Sequence, residues 1–207
     1  MTSKEIILGS IRRNRPAPGE LPCLNESWTK FVDPRKKFIE VLESVGGKAI
    51  VARDQNDLAK QIESLPQIAD AQTVASLVSG FGSRNIDVAA MDSPHGLSHV
   101  DVAILPGEFG VAENAAVWVT DRQVPLRVLY FLCQHLTLVI PAASIVDHMH
   151  AAYDRLIAHD RFGHDTATSR HFGVFIAGPS KTADIEQSLV IGAHGPRSLT
   201  VCLVEQC

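Results

Sequence analysis

The segment Gly178-Pro179-Ser180-Lys181-Thr182-Ala183-Asp184-Ile185-Glu186 places a glycine-containing turn between an apolar run ending at Ile176 and the run Ile185 to Val190. Read as strand, turn and helix, this order aims free backbone N–H groups at an anion. Ser180 and Thr182 add hydroxyl donors and Lys181 adds a charge. Gly178, Ser180, Lys181, Thr182, Asp184 and Glu186 are therefore candidate anion or ligand contacts. The alternative is a plain turn in which Ser180, Thr182 or Asp184 caps the helix. The pattern G-x-x-x-x-G-K-[ST] is not matched, which excludes a P-loop. Just downstream, Gly192-Ala193-His194-Gly195-Pro196 holds His194 in a tight loop. It reads as an acid/base group or anion contact, or as a histidine stabilised by a helix C-terminus.

A second chemical segment is Pro106-Gly107-Glu108-Phe109-Gly110-Val111-Ala112-Glu113-Asn114. Two glycines and two carboxylates between apolar runs suggest a loop or bulge brought close to something, with Gly107 and Asn114 as ligand contacts. The carboxylates are suited to proton transfer or nucleophilic work. Glu113 is the expected catalytic one. It lies just before the apolar strand Ala115 to Thr120, where the backbone fixes it and partial desolvation suits it to proton transfer. Glu108 falls in a stretch expected to be more mobile. The alternative for Glu113 is that it caps or bridges local backbone groups. The histidines give no metal frame. His148 and His150 fall two apart on an expected helix and so on different faces. His159, His164 and His171 flank or occupy a polar stretch without H-E-x-x-H spacing. No G-x-S-x-G elbow and no G-x-G-x-x-G turn occurs.

The 207 residues carry a net charge of −4, with 45% hydrophobic and 20% charged residues. That suits one good-sized globular domain, and it offers no basic excess for nucleic acid. Cys23, Cys133, Cys202 and Cys207 are scattered, without C-x-x-C spacing. This predicts no zinc ribbon, no iron–sulfur cluster and no cofactor in this chain. The N-terminus lacks the apolar run of a signal peptide. Leu136 to Val146, interrupted by Pro141, is too short to span a bilayer. A cytoplasmic protein with reduced thiols and no membrane span is expected.

These residues need elements to position them. Thr2 and Glu5 have capping-box spacing ahead of Ile7, Leu8 and Ile11, predicting a helix over 2–14. The stretch Pro16 to Pro22 then acts as a stiff linker, so that helix is free to pack on a neighbouring subunit or partner. Asp33-Pro34 starts a second helix that Gly46-Gly47 ends. A strand over 48–52 follows, then a helix capped by Asn56 and stopped by Pro66, then a strand over 74–78. Helix, strand, helix, strand predicts an α/β layer fold. Further strands are expected at 100–105, 115–120, 136–140, 172–176 and 199–204. A helix opens on Ser144 and Asp147, with the stripe Ile145, Met149, Ala152 and Leu156. The polar stretch 158–171 reads as a long loop.

GPSKTADIEQSLVIGAHGP (178–196), followed by RSLTVCLVE, resembles the C-terminal signature of the LutC/YkgG family, the LUD-domain proteins of lactate utilisation. Looser likeness runs through GVAENAAVWV (110–119) and HLTLVIPAASIVDHM (135–149). The resemblance implies a three-layer α/β/α fold similar to the sugar-phosphate isomerase and CoA-transferase superfamily. Residues 1–22 would be the helix and Pro-rich linker, and 23–207 the LUD-type domain. It implies the non-cluster component of a bacterial system oxidising L-lactate to pyruvate, with iron–sulfur partner proteins. The alternative is a CoA-transferase-like enzyme or sensor that binds an acidic small molecule. A homo-oligomer is compatible with either. Where the family motif reads A-E-T-G-T, this chain has Ala112-Glu113-Asn114-Ala115-Ala116. The glutamate is kept, while both threonines and the glycine are replaced.

Overall fold

The computed structural model describes residues 2–17, 19–20, 22–23, 26–91, 93–158, 172–183 and 189–206. Helix α1 (Ser3–Arg13) has the expected capping box, with Thr2 and Glu5 each bonding the other's backbone N–H. Helix α2 (Pro34–Ser44) starts where Asp33 accepts from the Lys36 N–H, and Gly46 at φ +86 turns the chain into β1 (Lys48–Ala52). Helix α3 (Gln55–Glu63) is capped by Asp54 rather than Asn56, because the Asp54 carboxylate accepts from the Asp57 N–H at 2.8 Å. Pro66 opens a short helix α4 (Pro66–Ala69) as well as ending α3, since proline suits a first helical position. Then follow β2 (Val74–Ser76), β3 (Val102–Pro106), β4 (Phe109–Val111), β5 (Ala116–Thr120), α5 (Leu129–Leu132), β6 (His135–Pro141), β7 (Ile145–Val146), α6 (Met149–Ala158), β8 (Gly173–Ile176), β9 (Lys181–Ala183), β10 (Leu189–Ile191) and β11 (Ser198–Val204).

Five strands make a parallel sheet in the order β1-β11-β6-β3-β2. Alternating residues of each strand face opposite sides. Val102, Ile104, Val139, Cys202 and Val204 pack against Leu58, Ile62 and Ile68 of α3 and α4. Ala103, Leu105, Leu138, Ile140, Val201 and Leu203 face Phe38 and Leu42 of α2, Leu129 and Tyr130 of α5, and a second sheet. A parallel strand buried on both faces must read as a near-continuous apolar run, as β3, β6 and β11 do.

The second sheet, ordered β7-β4-β5-β8, is assembled from two of the crossovers of the first. The β4–β5 hairpin lies between β3 and β6 in sequence, while β7 and β8 lie between β6 and β11. Its inner face joins the main core through Val117 and Val119. On its outer face Phe109, Val111 and Trp118 pack against Ala152 and Leu156 of α6. The chain is thus α/β, with a mixed sheet sharing one face of the parallel sheet with helices.

Three local expectations are corrected. Residues 181–183 and 189–191 pair as an antiparallel hairpin, not a turn leading into a helix. Ser144 and Asp147 do not open a helix. Ser144 ends a 3-10 turn, β7 intervenes, and the Asp147 carboxylate accepts from the Phe31 N–H at 2.7 Å. His148 precedes α6 rather than lying in it, and its ring is 6.0 Å from that of His150. Trp28 stacks on His150 at 3.6 Å, so this pair helps hold the segment after the linker. The stretch 159–171 lies outside the described residues.

Candidate functional site

In parallel α/β sheets, ligand clefts form beyond the carboxyl ends of the strands. Here β3 and β6, neighbours in the sheet, both end in proline, at Pro106 and Pro141. Beyond Pro106 the chain crosses from the parallel sheet into the second sheet through Gly107. A Cβ there would lie 2.7 Å from both Ile140 Cγ2 and Val117 Cγ1, so only glycine fits. The Gly107 N–H donates to the Val139 carbonyl and the Glu108 N–H to the Trp118 carbonyl, both at 2.9 Å.

Glu108 is therefore held firmly at the base of the β4–β5 hairpin, not in a mobile stretch. Its carboxylate accepts from the Thr120 hydroxyl at 2.8 Å. The Tyr130 hydroxyl shares its proton between the carbonyls of Thr120 (3.0 Å) and Pro106 (3.3 Å), tying the end of β5 to the end of β3. Burial pushes the Tyr130 phenol well above its ordinary range, with the charges of Glu108 and Asp121 adding to it, so the group stays a proton donor.

A cleft of about 320 Å³ opens here, lined by Pro106, Gly107, Glu108, Thr120, Arg122, Gln123 and Pro141. The Arg122 guanidinium makes no hydrogen bond or ion pair among the described residues, whereas Glu108 and Thr120 are bonded to each other. A guanidinium and an amide offer donors for a carboxylate, and a carboxylate beside a hydroxyl can accept a proton from a ligand hydroxyl. The arrangement suits a small organic acid that also carries a hydroxyl group.

The LUD-domain profile matches residues 94–204, more than half of the chain, and covers every residue of this cleft. The chain belongs to the LUD-domain family. Curated relatives named lactate utilization protein C agree. One from Geobacillus thermodenitrificans is 30% identical over 61% of this chain and 48% of its own length. One from Geobacillus sp. strain WCH70 is 27% identical over 85% of this chain and 70% of its own length. The chain thus spans about half the length of the first of these relatives. A solved DUF162 family protein from Deinococcus radiodurans shares the fold, with a TM-score of 0.57, 16% identity, and coverage of 83% of this chain and 96% of the other.

Within this LUD domain, Glu113 lies at the opposite tip of the hairpin from Glu108. It is exposed, not desolvated, and its carboxylate accepts from the Met149 N–H at 2.9 Å, capping α6. Asn114 braces the turn, its side-chain oxygen accepting from the Ala116 N–H at 3.0 Å. Ala115 occupies the position of the family glycine and adopts φ +54 all the same. Of the residues expected to bind ligand in the 107–114 segment, only Gly107 lines the cleft.

The C-terminal candidates gather elsewhere. Gly178, Ser180 and His194 line a mostly apolar cavity of about 260 Å³ together with Tyr130, Phe131 and Leu199. Ser180 is fixed by its backbone, donating to the Pro196 carbonyl and accepting from the Gly192 N–H. Lys181 is exposed and Thr182 half-buried on β9, and His194 is exposed in a loop, not at a helix end. The N–H groups of a helix start are therefore not available at 181–183. Asp184 and Glu186 lie outside the described residues.

At the amino ends of the strands a larger cleft, about 440 Å³, is lined by Gln67, Asp70, Asp101, Gln134, His135 and Arg197 among others. Two of its polar side chains, those of Asp101 and His135, are used in holding strand starts. The Asp101 carboxylate accepts from the N–H groups of Gln72 and Thr73, each at 2.9 Å. The His135 Nδ1 lies 2.8 Å from the Ser198 hydroxyl. Burial, then the Arg197 charge, lowers the His135 pKa. Among the described residues no three His, Cys, Asp or Glu side chains are grouped to hold a metal. No helix among them is long and apolar enough to cross a membrane.

The sequence reading missed Thr120, Arg122 and Gln123, and it set Glu108 aside. The signal for Glu108 was its place directly after a glycine at a strand end. The other three follow an apolar strand with no motif of their own.

Proposed function

We propose that this LUD domain serves lactate utilisation as a component that carries no cluster itself. It works in the cytoplasm with iron–sulfur partner proteins that accept the two electrons lost when lactate becomes pyruvate. The observation that carries this reading is the likeness to relatives named lactate utilization protein C, which extends over 85% of this chain in one case. A strain lacking the gene for this chain tests it. Growth on L-lactate and lactate-dependent dye reduction should both fall, and both should return with the intact chain. Unchanged growth and dye reduction in the deletion would overturn the reading.

The carboxyl-edge cleft favours a second reading, in which the chain itself binds an acidic small molecule as an enzyme or sensor. Arg122 and Gln123 would take the carboxylate, and Glu108 with Thr120 the hydroxyl. Titrating the purified chain with L-lactate, pyruvate and propionate, followed by amide shifts, separates the two. Shifts at 107–108 and 120–123 that are larger for lactate than for propionate support binding. An unresponsive cleft leaves the chain as a non-binding component.

A further inference from the structure

The carboxyl-edge cleft takes its polar groups from two arms of the chain. Gly107 and Glu108 follow β3, while Thr120 ends β5 and Arg122 and Gln123 follow it. The arms leave different sheets, since β3 belongs to the parallel sheet and β5 to the second one. A ligand that bonds both arms therefore reads the distance between them. A ligand that bonds a single arm does not.

The two arms are unequally held. The first is fixed on both sides, by the Gly107 N–H donating to the Val139 carbonyl of the parallel sheet and the Glu108 N–H to the Trp118 carbonyl of the second, both at 2.9 Å. The second arm leaves β5 with a longer bond, 3.3 Å from the Asp121 N–H to the Phe172 carbonyl. The Thr120 hydroxyl and the Glu108 carboxylate join the arms at 2.8 Å, but through side chains that a ligand hydroxyl would itself engage. The Tyr130 hydroxyl is a different kind of tie. It bonds the carbonyls of Thr120 at 3.0 Å and Pro106 at 3.3 Å, the residues at which the two arms begin. Tyr130 is 1% exposed, and its ring sits in the main core with Leu129 and Leu136. A phenylalanine would fill the same space without burying a hydroxyl, which is costly unless it is bonded.

We propose that Tyr130 is the positioning residue that sets the span of this cleft, and with it the selection of a hydroxy acid over the same acid without the hydroxyl. The inference rests on the reading of the cleft as a binding site for a small acid. Tyr130 is not among the residues lining the cleft, so it acts through the two carbonyls. With the carboxylate held by Arg122 and Gln123 on the second arm, the separation of Thr120 from Pro106 decides whether the ligand hydroxyl reaches Glu108 on the first. The buried ring of Tyr130 anchors the tie in the core, and a tie of this kind keeps the polar groups at a fixed spacing before the ligand arrives.

Titrations of the full chain with L-lactate and with propionate, followed by amide shifts, test this on the wild type, Tyr130→Phe and Leu129→Val. The wild type should prefer lactate. In Tyr130→Phe that preference should fall about fivefold, the effect of losing one ordinary hydrogen bond. Propionate should bind this variant as it binds the wild type, because it engages one arm only. Leu129→Val removes a methylene from the neighbouring buried position and leaves the tie intact. It should lower the melting temperature and keep the wild-type preference. A Tyr130→Phe variant that keeps the full preference overturns the proposal and leaves the reading of the cleft standing. Equal losses of lactate and propionate in Tyr130→Phe, or a lost preference in Leu129→Val, would also overturn it, since either makes Tyr130 an ordinary core residue. A wild type that binds neither acid, or both alike, removes the reading of the cleft and the proposal with it.

Discussion

The two ends of the parallel sheet hold clefts of similar chemistry, each lined by carboxylate, arginine and glutamine side chains. At the amino end Asp101, His135, Gln134 and Arg197 surround the larger opening, and the Asp101 and His135 side chains bond neighbouring strand starts. At the carboxyl end the opening is smaller, and its polar side chains extend past the strands: Glu108 and Thr120 bond each other, while Arg122 and Gln123 line the wall beyond them. What separates the two ends is the carboxylate: Asp101 accepts from two backbone N–H groups, whereas Glu108 accepts from a side-chain hydroxyl.

The contrast breaks first at Asp101. Asp101→Ala strips the acceptor from two backbone N–H groups and should cost about 2 kcal/mol of stability, read as a lower melting temperature with lactate binding intact. Lost binding with normal melting would reverse the roles of the two ends. Next in size, Arg122→Ala should weaken binding of a small hydroxy acid by about tenfold, or about 1.4 kcal/mol, at unchanged melting temperature. Glu108→Gln should do so for lactate and not for propionate. Glu113→Ala removes the acceptor at the start of α6 and should cost about 1 kcal/mol, with growth on lactate retained. Loss of growth at normal melting would return Glu113 to the site.

The smallest effect is a pH dependence at the amino end. The folded-state pKa of His135 is depressed below its ordinary 6.5. Its stabilising contribution is therefore present above about pH 6.5 and is lost as pH falls, because the unfolded chain takes up the proton more readily. Denaturant melts of the wild type and His135→Gln from neutral pH down to pH 5 should diverge in slope, with the variant flatter. Parallel slopes would show that this end carries no such linkage.

Much of this architecture was readable where local chemistry sets it. Thr2, Asp33 and Pro34 mark helix starts through caps, and the largely apolar runs at 100–105, 136–140 and 199–204 mark strands. The α/β fold followed from their order. The pairing of 181–183 with 189–191 was not readable, because Ser180, Thr182 and Asp184 suit a helix cap as well as a strand end, and only the ladder between the two strands tells them apart. The second sheet was hidden for a related reason. Its strands come from two different crossovers, and Phe109 to Val111 is a short strand among glycines. Of the cleft, Gly107 was visible from its type and place. Thr120, Arg122 and Gln123 were not, because a cleft built from the ends of separate strands leaves no spacing pattern along the chain.

The turn joining β4 to β5 has a consequence for the order in which the molecule folds. Ala115 is held at φ +54, a region that costs an L-residue about 1 kcal/mol, where the family motif has glycine. The local chain thus resists the bend it must make, and the Asn114 side chain only partly offsets this by bonding the Ala116 N–H. We predict that the hairpin cannot start the folding reaction and closes late, on a surface already built by β3, β6 and α2. Stopped-flow refolding of Ala115→Gly checks this: an unchanged refolding rate with slower unfolding fits late closure, and faster refolding would place the turn in the nucleus. On this account, assembly runs outward from the parallel sheet, and Glu108 and Thr120 come together only in its final steps.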